Sequence, residues 1–98
     1  MRTIKFTQYL RPDGRRITVD YEPQEDVPDE VFDMADVLVS NGAKLECEEL
    51  RTGHASFTCE RGDDLLAHVV CKNGPDAVKA VQDLIRKAHT ELHALSRD

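Results

Sequence analysis

The sequence predicts an α+β domain with elements in the order ββαβββα. Three observations predict it. Two alternating segments flank an Asp-Gly turn. Two other segments carry apolar residues at helical spacing. Between those lie two alternating segments and a continuous apolar one, separated by glycine-containing turns. Every connection is short, so the economical architecture is an antiparallel sheet of about five strands with both helices packed on one face. A chain of 98 residues has enough material for one core and not two, so residues 1–98 read as one domain.

Residues 2–10 and 15–21 are the first two strands. Ile4 and Phe6 alternate with Lys5 and Thr7, and Ile17, Val19 and Tyr21 with Thr18 and Asp20. Between them, Pro12-Asp13-Gly14 supplies the residue tolerant of positive φ that a tight hairpin requires. Residues 22–26 read as a loop. A helix at about 28–41 follows. Pro28 suits its first turn, and Asp29 and Glu30 suit its positive start. Val27, Val31, Met34, Ala35 and Leu38 form its apolar face, and Asn41-Gly42 stops it.

Three strands are expected near 43–50, 55–60 and 65–72. The third, Leu65-Leu66-Ala67-His68-Val69-Val70-Cys71, is apolar on both faces and reads as a central strand or one covered twice. Asn73-Gly74-Pro75-Asp76 opens the second helix with capping chemistry. Its stripe is Val78, Val81, Leu84, Ile85, Ala88, Leu92 and Leu95. The core expected from these phases is Ile4, Phe6, Ile17, Val19, Val31, Met34, Leu38, Leu45, Phe57, Val69, Val81, Leu84, Ile85 and Leu92.

Composition narrows the function classes. Trp is absent and aromatics are 5%, so stacking platforms for nucleic-acid bases are scarce. The net charge of −6 argues against broad phosphate-backbone binding and for solubility or a basic partner. No apolar stretch is long enough to span a bilayer, and the start lacks the apolar core of an export signal. The expected compartment is cytoplasmic. Three cysteines, an odd number, agree with a reducing environment.

Cys47, Cys59 and Cys71 lie twelve residues apart on three expected strands, which makes a thiolate metal site conceivable. No CxxC or CxxH pair accompanies them, so they read as small core residues. His89 and His93 stand one helical turn apart, but the intervening residues do not form HExxH. They read as surface histidines. Cys59–His68 or Ser56–His54 pairings can be drawn, yet no nucleophile elbow accompanies them. No GxGxxG or P-loop is present, and no cofactor or catalytic residue is expected.

Charge patterning is the most informative surface feature. Seven acids lie between Glu22 and Asp36 with no Lys or Arg among them. Glu46, Glu48 and Glu49 can extend this field from a neighbouring strand. The hairpin tip carries Arg11, Arg15 and Arg16. The expected docking surface for a basic partner is Glu25, Asp26, Asp29, Asp33 and Asp36, and the Arg11/Arg15/Arg16 tip is the alternative. The order αβββα over 28–96 resembles the double-stranded-RNA-binding domain in topology alone. That module needs basic loops and a basic second-helix start, whereas residues 43–98 carry eight basic and ten acidic side chains.

The run Thr3-Ile4-Lys5-Phe6-Thr7-Gln8-Tyr9-Leu10-Arg11-Pro12-Asp13-Gly14-Arg15-Arg16 resembles the start of short uncharacterised proteins of bacteriophages, prophages and mobile elements. Leu45-Glu46-Cys47-Glu48-Glu49-Leu50-Arg51-Thr52-Gly53 is similar to a second stretch of such proteins. The resemblance covers roughly the first sixty residues and implies no catalytic residues. It implies a phage or prokaryotic setting and a small accessory or inhibitor protein.

The leading expectation is therefore a non-enzymatic protein-binding module, an anti-CRISPR protein being one instance. A nucleic-acid-binding accessory protein using the basic tip is the second. A small Cys/His metal protein or enzyme is the third.

Overall fold

The seven expected elements all form, in the expected order. The computed structural model describes residues 2–10, 13–22, 26–50, 52–72, 74 and 76–95. The elements are β1 (Ile4–Leu10), β2 (Arg15–Tyr21), α1 (Asp29–Ser40), β3 (Lys44–Glu49), β4 (His54–Arg61), β5 (Asp64–Lys72) and α2 (Asp76–Leu95). At the β1–β2 turn, Gly14 adopts φ 71° and its N–H donates to the Leu10 carbonyl at 3.0 Å. Arg11, Pro12, Asn73 and Pro75, on which part of the turn and capping expectations rested, lie outside the described residues.

The strands form one sheet in the order β2-β1-β3-β4-β5. It is mixed, not wholly antiparallel as expected: β1 and β3 run parallel, with Thr7 opposite Glu46 and Tyr9 opposite Glu48. The expectation rested on the short connections. β3 pairs with the free edge of β1, across from β2. The chain leaves β2 and re-enters as β3 at the same end of the sheet, so β3 opposes β2 in direction and matches β1.

The end of α1 sets up this return. Gly42, at φ 88°, donates to the Val39 carbonyl at 3.0 Å, and Ala43 donates to the Leu38 carbonyl at 3.0 Å. This is a Schellman pair of bonds, and the residues it joins at long range, Ala43 and Leu38, are both buried. Arg61 on β4 also donates from Nε to the Asn41 carbonyl at 2.9 Å, which satisfies another carbonyl left over beyond the helix end.

Both helices lie on one face of the sheet. α2 packs on β4 and β5, α1 touches β3, and the helices pack on each other. The core joins Ile4, Phe6, Leu45, Phe57 and Cys59 of the sheet to Val31, Leu38, Val81, Leu84, Ile85 and Ala88 of the helices. Phe6 sits at its centre, edge-to-face with Tyr21 at 6.1 Å and with Phe57 at 5.8 Å.

Four residues expected in the core are not fully buried. Ile17 is 40% exposed, because β2 is an edge strand and Ile17 pairs with Gln8 beyond the strongly buried stretch of β1. Val19, Met34 and Val69 are half-buried and pack against the core from its margin. Phe32, outside the predicted stripe, is buried. The doubly apolar β5 is also not central. It is the opposite edge strand, with Leu65 at 61% and Val70 at 51% exposure. A bulge places both Leu66 and Ala67 in the core, since Cys59 pairs with Ala67 while Glu60 pairs with Leu65.

Candidate functional site

The acidic flank of α1 is built by helical spacing. Burial of Val31, Phe32, Ala35 and Leu38 turns Asp29, Glu30, Asp33 and Asp36 to solvent. Asp29 and Glu30 occupy the first turn, where negative charge complements the helix dipole. Asp26 is exposed just ahead of them, and Glu25 lies outside the described residues.

The cations missing from this stretch of sequence arrive from elsewhere in the fold. Arg2, just ahead of β1, places Nη1 3.0 Å from Asp33 Oδ1 and Nη2 3.1 Å from Asp36 Oδ2. Its Nη1 also reaches the Asp29 carbonyl at 3.4 Å, and its guanidinium lies 4.9 Å from the centre of the Phe32 ring. Arg86 on α2 donates to Glu30 at 2.9 Å. Asp33 and Asp36 nevertheless remain 70% and 80% exposed. Among the described residues, no ion pair reaches Asp26 or Asp29. The flank therefore holds five described carboxylates, Asp26, Asp29, Glu30, Asp33 and Asp36, against two guanidinium groups.

Glu46 and Glu48 do not extend this flank. Strand alternation puts Leu45 on the helix side and Glu46 and Glu48 on the uncovered side of the sheet. There they line a shallow depression of about 340 Å³ with Tyr9, Arg16, Ser56 and Thr58.

The hairpin arginines diverge. Arg15 pairs with Asp13 at 3.2 Å, whereas Arg16 lies 5.8 Å from the Tyr9 ring centre over the uncovered face. Arg11 lies outside the described residues.

The uncovered face also holds a pair the sequence reading missed: Ser56 Oγ lies 2.8 Å from His68 Nε2. The register explains it, because Thr58 is opposite His68 and Ser56 is one alternation away on the same face. Reading β4 and β5 as a hairpin with period-two alternation would have found it. Ser56 is in mid-strand on β4, which pairs on both sides, and His68 is on the edge strand β5. His54, whose pairing with Ser56 was drawn from the sequence and set aside, has Nδ1 2.9 Å from Thr52 Oγ1 and 3.1 Å from the Thr52 carbonyl.

The three cysteines face the helices but are kept apart by register. Cys47 opposes Phe57, Cys59 opposes Leu45 and Ala67, and Cys71 opposes Ala55. All three are free thiols. Burial, then the Glu60 charge, pushes the Cys59 thiol up to about 11. Burial first, with Glu49 and Glu46 adding, raises Cys47, while burial and then Asp76 raise Cys71. His89 and His93 stack edge-to-face, with ring centres 4.5 Å apart. Among the described residues, no group of three His, Cys, Asp or Glu side chains is placed to hold a metal ion.

Thiol titration should therefore find three free groups in denaturant, with Cys59 the slowest to react in the native protein. The folded chain holds the Cys59 proton more tightly than the unfolded chain. Stability should thus fall as pH rises from about 9 toward about 11, and Cys59→Ala should blunt that loss. Rapid native labelling of Cys59, or zinc retained stoichiometrically through dialysis, would contradict this description.

No helix among the described residues is long and apolar enough to cross a membrane. Comparison with protein families, with curated proteins and with solved structures finds no match to this chain.

Proposed function

We propose that this chain is a small, non-enzymatic protein-binding module that receives a basic partner on the acidic flank of α1. We further propose a phage or prophage accessory or inhibitor role, an anti-CRISPR protein being one instance. The supporting observation is the state of Asp33 and Asp36: both are mostly exposed, and both share the single guanidinium of Arg2.

Exposed ion pairs contribute only about 0–1 kcal/mol, so a partner's arginine can replace Arg2 at little cost. Five described carboxylates against two guanidinium groups leave an attractive field for a cationic surface. Such a field speeds association and weakens as salt rises.

A short oligoarginine peptide is the direct probe. Titrated into isotopically labelled protein at low salt, it should shift the backbone amides of residues 26–40 most strongly. The shifts should shrink as ionic strength rises from about 0.01 M to about 0.15 M, where the screening length contracts from about 30 Å to about 8 Å. Larger shifts around Tyr9, Arg16 and Glu48, or no response at low salt, would overturn this assignment.

A further inference from the structure

We propose that His89 and His93, on the last turns of α2, form a two-nitrogen chelate for a late first-row divalent cation such as Ni²⁺ or Cu²⁺. The site uses neither the acidic flank nor the cysteines, and it does not depend on a basic partner.

Helix geometry places the pair. α2 runs unbroken from Asp76 to Leu95. Residues four apart therefore stand one above the other on its surface, with Cβ atoms about 5–6 Å apart. Leu84, Ile85, Ala88 and Leu92 take the buried stripe. That leaves His89 half-buried at its margin and His93 in solvent. The two rings meet edge-to-face with centres 4.5 Å apart. A cation held by two neighbouring imidazoles at about 2.0–2.1 Å sets their nitrogens about 3 Å apart. Rings already in contact reach that separation by turning about their side-chain bonds.

The ligand atoms are available. Among the described residues, no hydrogen bond or ion pair engages either ring. The other two histidines differ. His54 Nδ1 lies 2.9 Å from Thr52 Oγ1, and His68 Nε2 lies 2.8 Å from Ser56 Oγ. They are also far from each other, because His54 opposes Lys72 while His68 opposes Thr58. Four strand positions separate them, or about 13 Å.

Local charge and ligand type select the cation. His93 stands in the last turn of α2, where the negative end of the helix dipole favours positive charge. Arg86, three residues before His89, is the competing cation, and Glu30 offsets it at 2.9 Å. Imidazole suits nickel, copper and zinc, and affinity rises along the series to copper. Two adjacent nitrogens with the other positions open to water fit the tetragonal geometry of Ni²⁺ and Cu²⁺ better than the closed four-ligand set of structural zinc. With two protein ligands the cation stays exchangeable and leaves on dialysis. Bound, it ties the end of α2 to the turn before it and resists fraying.

Ni²⁺ is the probe, because it does not oxidise the three thiols. Titrated as the chloride into the isotopically labelled full chain near neutral pH, it should broaden the amide resonances of residues 86–95 most strongly. Calorimetry should find one site per chain. His89→Asn and His93→Asn should each weaken binding by about tenfold or more, since each removes one arm of the chelate. His68→Asn should leave it unchanged. Neither α2 ring lies on the buried stripe, so both variants should keep the parent's circular dichroism spectrum. The parent's melting temperature should rise with Ni²⁺ and return on adding EDTA, because the cation binds the formed helix better than the unfolded chain. Neither α2 variant should show that rise. Broadening centred on residues 29–36 or on the cysteine-bearing strands would overturn the proposal. So would unchanged affinity in His89→Asn or His93→Asn, or no binding at roughly 1 mM Ni²⁺.

Discussion

Replacing Phe6 with alanine should destabilise the protein by about 3–5 kcal/mol, the largest loss expected from a single truncation here. Phe6 is 2% exposed and meets two other rings, Tyr21 and Phe57, edge-to-face. Its removal leaves a ring-sized void between β1, β2 and β4, and rigid strands on both sides limit collapse into it. In a domain of this size each kcal/mol lowers the melting temperature by about 4–8 °C, so the variant should melt tens of degrees lower or be unfolded at room temperature. Chemical denaturation should show a shifted midpoint with an unchanged slope. Val39→Ala on the exposed side of α1 provides the comparison and should stay within about 0.5 kcal/mol of the parent. A loss below about 1 kcal/mol for Phe6→Ala would mean that the aromatic cluster is not the centre of the core.

The α+β class and the element order were legible in the sequence because each rests on local physics. Helical spacing marked α1 and α2, alternation marked β1 to β4, a continuous apolar run marked β5, and Gly14 and Gly42 sit at positive φ where turns were expected. Strand neighbours were not legible, because they depend on which edge of β1 remains open when β3 forms. The short connections suggested an antiparallel sheet, and the β1–β3 pair runs parallel. The apolar run of β5 misled for a different reason. A strand apolar on both faces normally signals cover on both faces. Here a bulge turns Leu66 and Ala67 into the core together, while Leu65 and Val70 remain exposed at the edge.

The acidic flank shows the same division between local and long-range information. Counting charges between Glu22 and Asp36 located the carboxylates correctly, because apolar burial on one side of α1 forces them outward. The count missed their partners. Arg2 is 31 and 34 positions away from Asp33 and Asp36, and Arg86 is 56 positions from Glu30. Nothing local to α1 announces either. Period two also separates Glu46 and Glu48 from the helix face, so three glutamates close in sequence do not make one surface.

Reversing Asp33 and Asp36 to lysine together should produce the largest effect on recognition. It changes the charge at these two positions from −2 to +2 and places both lysines against Arg2, whose guanidinium now bridges them. Each exposed contact with a partner cation contributes about 0.2–1 kcal/mol. Converting two attractions into two repulsions should thus weaken binding of the oligoarginine peptide by roughly 1–3 kcal/mol, or about 5- to 150-fold at low salt. Most of the salt dependence should vanish with it, because the field that steers encounter is gone. Stability should fall by no more than about 1 kcal/mol per lost ion pair, since neither side chain lies on the buried stripe of α1. Asp33→Asn with Asp36→Asn should fall between parent and reversal, because attraction is lost without added repulsion. Arg15→Glu with Arg16→Glu supplies the opposing test on the β1–β2 hairpin. Those two arginines already engage Asp13 and the Tyr9 ring, away from α1. If the hairpin variant changes peptide binding and the α1 variant does not, the acidic flank is not the docking surface and the interaction belongs to the hairpin side of the sheet.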